Sequence, residues 1–155
     1  MIDHLQARGF SVEDLARSEA RRFFTAWCHA FLGDVHQSTG KYGYLGFHWH
    51  AVSYEFTAAQ SGPSALEAYL SLESQPVLVI PEDWRNSCGV RCSGHGLPDP
   101  TELRDDLYVF PESLEWSMAF THEHPRCGPY FACGNPGQNP GEGRNFSSAI
   151  SVTFD

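Results

Sequence analysis

Residues 107–131 constrain the fold most, because apolar and polar side chains alternate along their central part. Leu114, Trp116, Met118 and Phe120 alternate with Glu115, Ser117, Ala119 and Thr121. Successive side chains of a β-strand point to opposite faces, so this pattern predicts a half-buried strand over 114–122. Shorter strands are expected on either side of it, over 107–110 and around 129–132.

Two segments show the spacing of amphipathic helices, with apolar side chains three or four positions apart. The first covers residues 11–32, with Ser11 as its N-cap and Gly33 at its end. The second covers residues 63–73. Such helices bury their apolar side against a sheet. The sequence therefore predicts an α+β fold, a mostly antiparallel sheet with the two helices packed on one face.

The segments between these elements are less regular. Residues 42–56 are expected to be extended, with a bulge or a tight reversal near His50 and Ala51, and residues 75–81 to form a short buried strand. Residues 82–100 are polar and contain glycines, which is typical of a loop. The chain is expected to comprise a single α+β domain over 1–133, a flexible Gly/Pro-rich linker over 134–145, and a C-terminal edge strand or disordered tail over 146–155.

The charge of the chain limits the partners that it can have. Its 155 residues carry a formal net charge of −9, and Lys41 is the one lysine. Because like charges repel, this balance disfavours binding to the phosphates of a nucleic acid. It favours a basic protein partner instead.

Three features predict a cytoplasmic protein. No stretch approaches the roughly 18 apolar residues that cross a membrane, and the first residues show no apolar signal region. The five cysteines are an odd number in a chain of ordinary size, which favours reduced thiols over a disulfide framework. No membrane partner is expected, and the sequence leaves the oligomeric state open.

Acidic residues cluster between positions 99 and 123, where seven carboxylates occur with a single arginine. Acidic patches steer the approach of basic proteins, and a nearby aromatic side chain can anchor the complex. The predicted partner-binding residues are therefore Asp99, Glu102, Asp105, Asp106, Tyr108, Glu112, Glu115 and Glu123. The alternative is a solvated face that binds no partner.

A second hypothesis is metal binding. His48 and His50 would project to the same face of a strand, as two ligands of one metal must, with Glu55 or His122 as further ligands. The spacing of His48, His50, Glu55 and Gly62 resembles the first metal-binding motif of the cupin family, whose second motif is absent. The resemblance implies zinc or another divalent metal. Apart from this alternative, no cofactor is expected.

Two other groups of titratable residues show weaker patterns. Cys88, Cys92 and His95 could supply zinc ligands, but their spacing is irregular for a zinc site. His122 could serve acid–base chemistry. The favoured interpretation is structural, with Thr121 and His122 bonding to the backbone of the turn that follows them. No catalytic residue is predicted.

One motif also indicates a family. Residues 116–123, Trp-Ser-Met-Ala-Phe-Thr-His-Glu, precede Gly-Pro-Tyr-Phe at 128–131. This arrangement resembles a family of small uncharacterised bacterial proteins, and the resemblance implies no known activity. Three classes of function remain. The favoured one is an immunity-type inhibitor that neutralises a basic bacterial toxin, and the others are a metal-binding protein or metalloenzyme and a structural or regulatory interaction module.

Overall fold

A seven-stranded antiparallel sheet organises the described part of the chain, residues 1–134 of a computed structural model. Helices pack on the sheet, so the predicted α+β class is confirmed. The predicted linker and tail lie outside the described residues, apart from Gly134. The elements are α1 (Ile2–Ala7), β1 (Ser11–Asp14), α2 (Arg17–Phe31), α3 (Gly33–Thr39), α4 (His50–Ser53), β2 (Gln60–Ser61), α5 (Gly62–Leu70), β3 (Val77–Pro81), β4 (Val90–Ser93), a 3-10 helix (Thr101–Leu103), β5 (Leu107–Phe110), β6 (Trp116–Phe120) and β7 (Tyr130–Cys133).

The strand order of the sheet is β1-β4-β3-β5-β6-β7-β2. In the antiparallel ladder Leu78 of β3 lies opposite Phe110 of β5, and Leu107 of β5 lies opposite Phe120 of β6. The end of β3, the start of β5 and the end of β6 therefore meet at one end of the sheet. We call it the carboxylate end, and we call the opposite end, with the β5–β6 turn, the hairpin end.

The central strands bury apolar side chains on both faces of the sheet. On one face, which we call the α2 face, Phe24 and Trp27 of α2 pack with Leu78, Ile80, Tyr108 and Phe110. On the other, the α5 face, Ala65 and Tyr69 of α5 pack with Val77, Val79, Leu107 and Val109.

The two helices therefore lie on opposite faces, and the prediction that both pack on one face is wrong. In Val77–Pro81 and Leu107–Phe110 the side chains that point to either face of the sheet are apolar. This is typical of strands covered on both sides. For the same reason β6 is buried along its whole length rather than on one side. Leu114, expected in this strand, instead lies in the preceding turn with φ +58°.

A hydrogen bond joins α2 to Ser117, one of the residues that alternate with the large apolar side chains of β6. The indole nitrogen of Trp27 donates to the hydroxyl of Ser117 over 2.7 Å, and both side chains are buried. Buried polar atoms need such partners because they have lost their contacts with water. Ser117, which the alternation assigned to the solvent side, is thus a core residue.

The first predicted helix begins six residues later than expected. Residues Ser11–Asp14 form β1, in which Ser11 pairs with Ser93 and Asp14 with Val90. The helix starts at Arg17, and the carboxylate of Glu19 accepts a hydrogen bond from the backbone of Ala16. Ser11 is therefore not an N-cap, because pairing with a distant strand outweighs the local helical pattern.

Residues 42–56 are not extended as predicted. A two-residue turn joins Tyr44 to Phe47, and the short helix α4 begins at His50. The expected loop over 82–100 contains β4, which pairs with β1 and β3. The predicted strands at 75–81 and 107–110 and the predicted helix at 63–73 correspond to β3, β5 and α5. No helix within residues 1–134 is long and apolar enough to cross a membrane.

Replacing Ser117 with alanine tests the tie between α2 and β6. The variant leaves the Trp27 indole N–H unpaired in the core, so the free energy of unfolding should fall by about 1–3 kcal/mol. Urea denaturation measures the loss. Ser71→Ala removes an exposed hydroxyl bonded within α5 and should change stability by less than about 0.5 kcal/mol. Equal losses of unfolding free energy in the two variants would show that the buried hydrogen bond contributes no more to stability than the exposed one.

Candidate functional site

Three strand ends carry polar side chains to the carboxylate end of the sheet. Glu82 follows β3, Asp106 precedes β5, and His122 follows β6 after Thr121. The backbone N–H of Glu82 donates to the carbonyl of Asp106 over 2.8 Å, so these two residues lie side by side. Titratable groups placed on rigid strand ends form the best candidate for a functional site in residues 1–134.

Glu82 is the centre of this group. Its carboxylate accepts hydrogen bonds from the backbone N–H of His48 over 3.2 Å, from the ring Nδ1 of His48, and from the hydroxyl of Tyr108. The Glu82 side chain is 16% exposed and that of His48 is 25% exposed. A mostly buried carboxylate needs donors of this kind to replace lost water. The three hydrogen bonds attach the chain around His48 to the sheet.

Tyr108 extends the group into the core. Its hydroxyl accepts a hydrogen bond from the backbone N–H of Trp49 over 3.0 Å while it donates to Glu82. Burial and the nearby Glu82 carboxylate raise the pKa of Tyr108 well above its ordinary value, because both disfavour the phenolate. Tyr108 therefore stays a neutral donor that joins Glu82 to the loop.

Asp106 and His122 form a second histidine–carboxylate pair. Asp106 accepts from the backbone N–H of His122 over 3.0 Å and from its ring Nδ1 over 2.8 Å. The hydrogen bond to Asp106 is the main cause that raises the pKa of His122, and the charges of Asp106, Glu123 and Asp105 add to it. We call Glu82, His48, Tyr108, Asp106 and His122 the histidine–carboxylate network.

Aromatic rings pack against both histidines, of which His122 keeps 42% of its side chain exposed. The Phe24 ring centroid lies 4.9 Å from that of His48, and the Phe47 centroid lies 5.5 Å from that of His122. Trp49 is buried in the core on the α2 face, with 1% of its surface exposed. The network thus holds residues 42–57, which we call the aromatic loop, against the carboxylate end of the sheet.

The predicted partner-binding acids do not form one patch. Asp105, Asp106 and Glu123 lie at the carboxylate end, whereas Glu112 and Glu115 lie at the hairpin end. The four residues of β5 separate the two groups by roughly 14 Å at about 3.4 Å per residue. Neighbours in sequence are separated because the chain reverses direction between β5 and β6.

Two members of the predicted partner-binding set are buried. Tyr108 has no exposed surface, and Asp106 is 8% exposed and occupied by His122. Asp106 directly follows the exposed Asp105, whereas Tyr108 lies within the apolar run of β5, whose pattern itself indicates burial. Burial disfavours direct contact of these two residues with a partner, and the partner-binding set stays a prediction.

Three other predicted acids make local contacts. Asp99 accepts hydrogen bonds from the backbone and hydroxyl of Thr101, Glu102 pairs with Arg8, and Glu112 pairs with Arg91. The two exposed arginine pairs contribute little to stability, about 0–1 kcal/mol. They nevertheless reduce the charge that Glu102 and Glu112 present to a partner.

The proposed metal ligands do not converge. His48 bonds to Glu82, and His50 Nδ1 donates to the carbonyl of Tyr44 over 2.9 Å. The two histidines do not share a strand face, because α4 begins at His50. Glu55 is exposed. Within residues 1–134 no three side chains of His, Cys, Asp or Glu are grouped as a metal site requires, so metal binding stays a prediction.

The cysteines of the alternative zinc site differ in their exposure to solvent. Cys92 is buried in β4, and burial raises the pKa of its thiol to about 11. Cys88 and His95 are exposed. Cys28 packs in α2 as expected for a buried thiol, and burial followed by the charge of Glu82 raises its pKa to about 12. Both buried thiols are neutral near pH 7.

Sequence reasoning identified part of this site. The hydroxyl of Thr121 donates to the carbonyl of Cys127 over 2.6 Å, which is the turn contact that was predicted. His122, by contrast, bonds to Asp106 across the sheet, and Glu82 was assigned to a loop. The sequence does contain a signal for this site, because Glu82, Asp106 and His122 each lie within two residues of a strand end.

The family model described as Domain of unknown function (DUF4275) matches residues 22–131. The chain belongs to this family. The predicted membership of an uncharacterised family is thereby confirmed, and the matched range of this DUF4275 protein contains the whole histidine–carboxylate network. No curated protein and no solved structure matches the chain.

Tyr108→Phe tests whether the network holds the aromatic loop. The change removes only the hydroxyl, so the Trp49 N–H loses its acceptor and Glu82 loses a donor. We expect the free energy of unfolding to fall by about 1–3 kcal/mol and the Trp49 amide to exchange faster with deuterium. Denaturation and hydrogen-exchange mass spectrometry measure the two effects.

Tyr69→Phe is the matched control. Tyr69 is equally buried, and its hydroxyl donates to the carbonyl of Pro98 over 2.7 Å on the α5 face. This variant should lose similar stability without faster exchange at Trp49. If both variants accelerate exchange at Trp49 equally, the effect is global and the network does not hold the loop.

The His122–Asp106 pair should make stability depend on pH. A raised pKa in the folded state favours the protonated ring, so the pair stabilises fully below the ordinary pKa of 6.5. Its contribution is lost as the pH rises through the folded-state value. Wild type should therefore exceed His122→Gln in stability most at about pH 5–6 and least near pH 9.

Proton NMR measures the titration of His122 directly. In Asp106→Asn the pKa of His122 should fall toward its ordinary value, because the charged acceptor is gone. Glu115→Gln removes an acid at the hairpin end and should leave the titration unchanged. A wild-type pKa at or below the ordinary value would contradict the pairing.

Proposed function

We propose that this DUF4275 protein is an acidic binding protein for a basic protein partner, of the immunity type that neutralises a bacterial toxin. The observation that carries the proposal is the arrangement of exposed acids at the carboxylate end. Each strand-end residue of the network has an exposed acidic neighbour: Asp83 beside Glu82, Asp105 beside Asp106, and Glu123 beside His122.

The network supports binding by fixing these acids in place. Glu82 and Asp106 are engaged in internal hydrogen bonds, so their neighbours are attached to strand ends that cannot move freely. Fixed charges cost less conformational entropy on binding than charges on mobile loops. With a net charge of −9, the molecule also attracts a basic protein over long distances.

The cysteines support a cytoplasmic location for this function. All five lie within the described residues and none is paired in a disulfide. Free thiols are typical of a reducing compartment. An inhibitor that protects its own cell from a toxin acts in that compartment.

Charge reversal tests the proposal. The probe is an inactive variant of the protein encoded immediately upstream of this gene, and its association with the chain is followed by stopped-flow fluorescence. Asp105→Lys with Glu123→Lys should slow association about tenfold or more at low salt, and much less at about 0.5 M salt, because salt screens exposed charges.

Glu112→Lys with Glu115→Lys is the matched control. It changes the net charge equally but at the hairpin end, so association should slow by less than about threefold. Equal effects of the two variants would place no interface at the carboxylate end. If neither neighbouring gene encodes a basic protein that binds the chain, the proposal fails.

A further inference from the structure

The aromatic loop exposes two large apolar side chains at its surface. Leu45 is 63% exposed and Tyr54 is 53% exposed, and Leu70 on the α5 face is the other large hydrophobic residue exposed to this degree within residues 1–134. Single exposed hydrophobic residues are ordinary. These two differ because of the backbone at Leu45 and the rings around Tyr54.

Leu45 occupies a conformation that leucine disfavours. Tyr44 and Phe47 exchange backbone hydrogen bonds of 3.0 and 3.1 Å across a two-residue turn, and φ is +47° at Leu45 and +93° at Gly46. Positive φ at both central positions is typical of a type I′ turn. Asparagine, aspartate or glycine is favoured at the first of these positions, since a leucine there crowds the backbone.

Within residues 1–134, nothing in the fold accounts for leucine at this position. Its side chain is mostly in water, so it buries little apolar area in return for the strained backbone. A strained residue that persists without stabilising the fold points to a role outside the fold. Contact with another molecule is the role that an exposed leucine can serve.

The loop presents Leu45 and Tyr54 on a fixed support. Trp49 of the loop is buried in the core, His50 bonds to the carbonyl of Tyr44, and the Thr57 hydroxyl donates to the carbonyl of Phe31 over 2.6 Å. A surface that is already ordered loses less entropy when it binds.

Ring contacts connect Tyr54, and Tyr44 next to Leu45, to the carboxylate end. Successive ring centroids lie 5.0 Å apart for Tyr44 and Tyr54, 5.7 Å for Tyr54 and His50, 5.2 Å for His50 and Phe47, and 5.5 Å for Phe47 and His122. This row ends beside Glu123, whose carboxylate lies 3.9 Å from His122. Glu55, next to Tyr54, adds an exposed carboxylate at the other end.

The geometry points to a docking surface in which Leu45 and Tyr54 are the apolar anchors for a basic protein. Its occupant is a segment that carries lysine or arginine beside an apolar or aromatic side chain, because acids border the row at both ends. The inference rests on the proposed function for the charge of the partner, and it adds where and through which residues the partner docks.

Selection from a phage-displayed library of random peptides tests the surface without a known partner. Peptides selected on the full chain should be rich in lysine or arginine with an apolar or aromatic residue. Leu45→Asn should weaken their binding about tenfold or more, as expected on loss of an anchor residue. The same variant should melt at or above the wild-type temperature, because asparagine suits the turn.

Leu70→Asn is the matched control, since it makes the same substitution at an exposed leucine on the opposite face. It should leave peptide affinity unchanged. Basic peptides that bind Leu45→Asn as tightly as wild type overturn the docking surface but leave the proposed function standing. Peptides that depend on Leu45 but lack basic residues overturn the proposed function and the assigned occupant together.

Three further outcomes also overturn the inference. A lower melting temperature in Leu45→Asn would show that leucine serves the fold. Loss of self-association in Leu45→Asn, measured by sedimentation, would identify the occupant as a second copy of the chain. Failure to select any peptide whose binding depends on Leu45 would remove the surface altogether.

Discussion

The carboxylate of Glu82 is the contact on which the arrangement of the site depends. It accepts hydrogen bonds from the ring and backbone of His48 and from Tyr108, and it is largely shielded from water. A carboxylate in this position is tolerated only when donors replace its hydration. These bonds attach the aromatic loop to the sheet, because His48 binds Glu82 directly and the Trp49 N–H donates to the Tyr108 hydroxyl that Glu82 accepts.

The carboxylate end separates buried and exposed charges that are adjacent in the chain. Glu82 and Asp106 turn inward and are used by histidines and a tyrosine, while Asp83 and Asp105 remain in water. In the low-dielectric interior a carboxylate is held by specific partners, whereas an exposed carboxylate acts through its long-range field. The same end of the sheet thus supplies both rigidity and negative potential. A basic partner would meet the exposed acids without disturbing the buried ones.

The sequence predicted the central strands well because their signal is local. The runs that became β3 and β5 are apolar and bounded by prolines or acids, and they are too short for helices. It failed at residues 11–14 and 42–56 because those conformations depend on partners far along the chain. β1 forms because it pairs with β4. The turn at Leu45 belongs to the aromatic loop, and Glu82, which binds His48 of that loop, lies 34 residues further along the chain. The apolar runs of β3 and β5 indicate cover on both faces, but the local pattern could not show which helix covers which face.

The features of the site also fall into two groups, those that the sequence predicts and those that depend on the fold. The sequence by itself determined the charge, the apolar central strands, the α2 and α5 segments and the turn contact of Thr121, since each follows from composition or from neighbours within a few residues. Only the tertiary structure decided that Asp106 is buried and that Glu112 and Asp105 lie at opposite ends. It also decided that His48 and His122 take separate carboxylates. The reason is that burial and pairing are set by antiparallel strand order, which brings together residues that no local pattern relates.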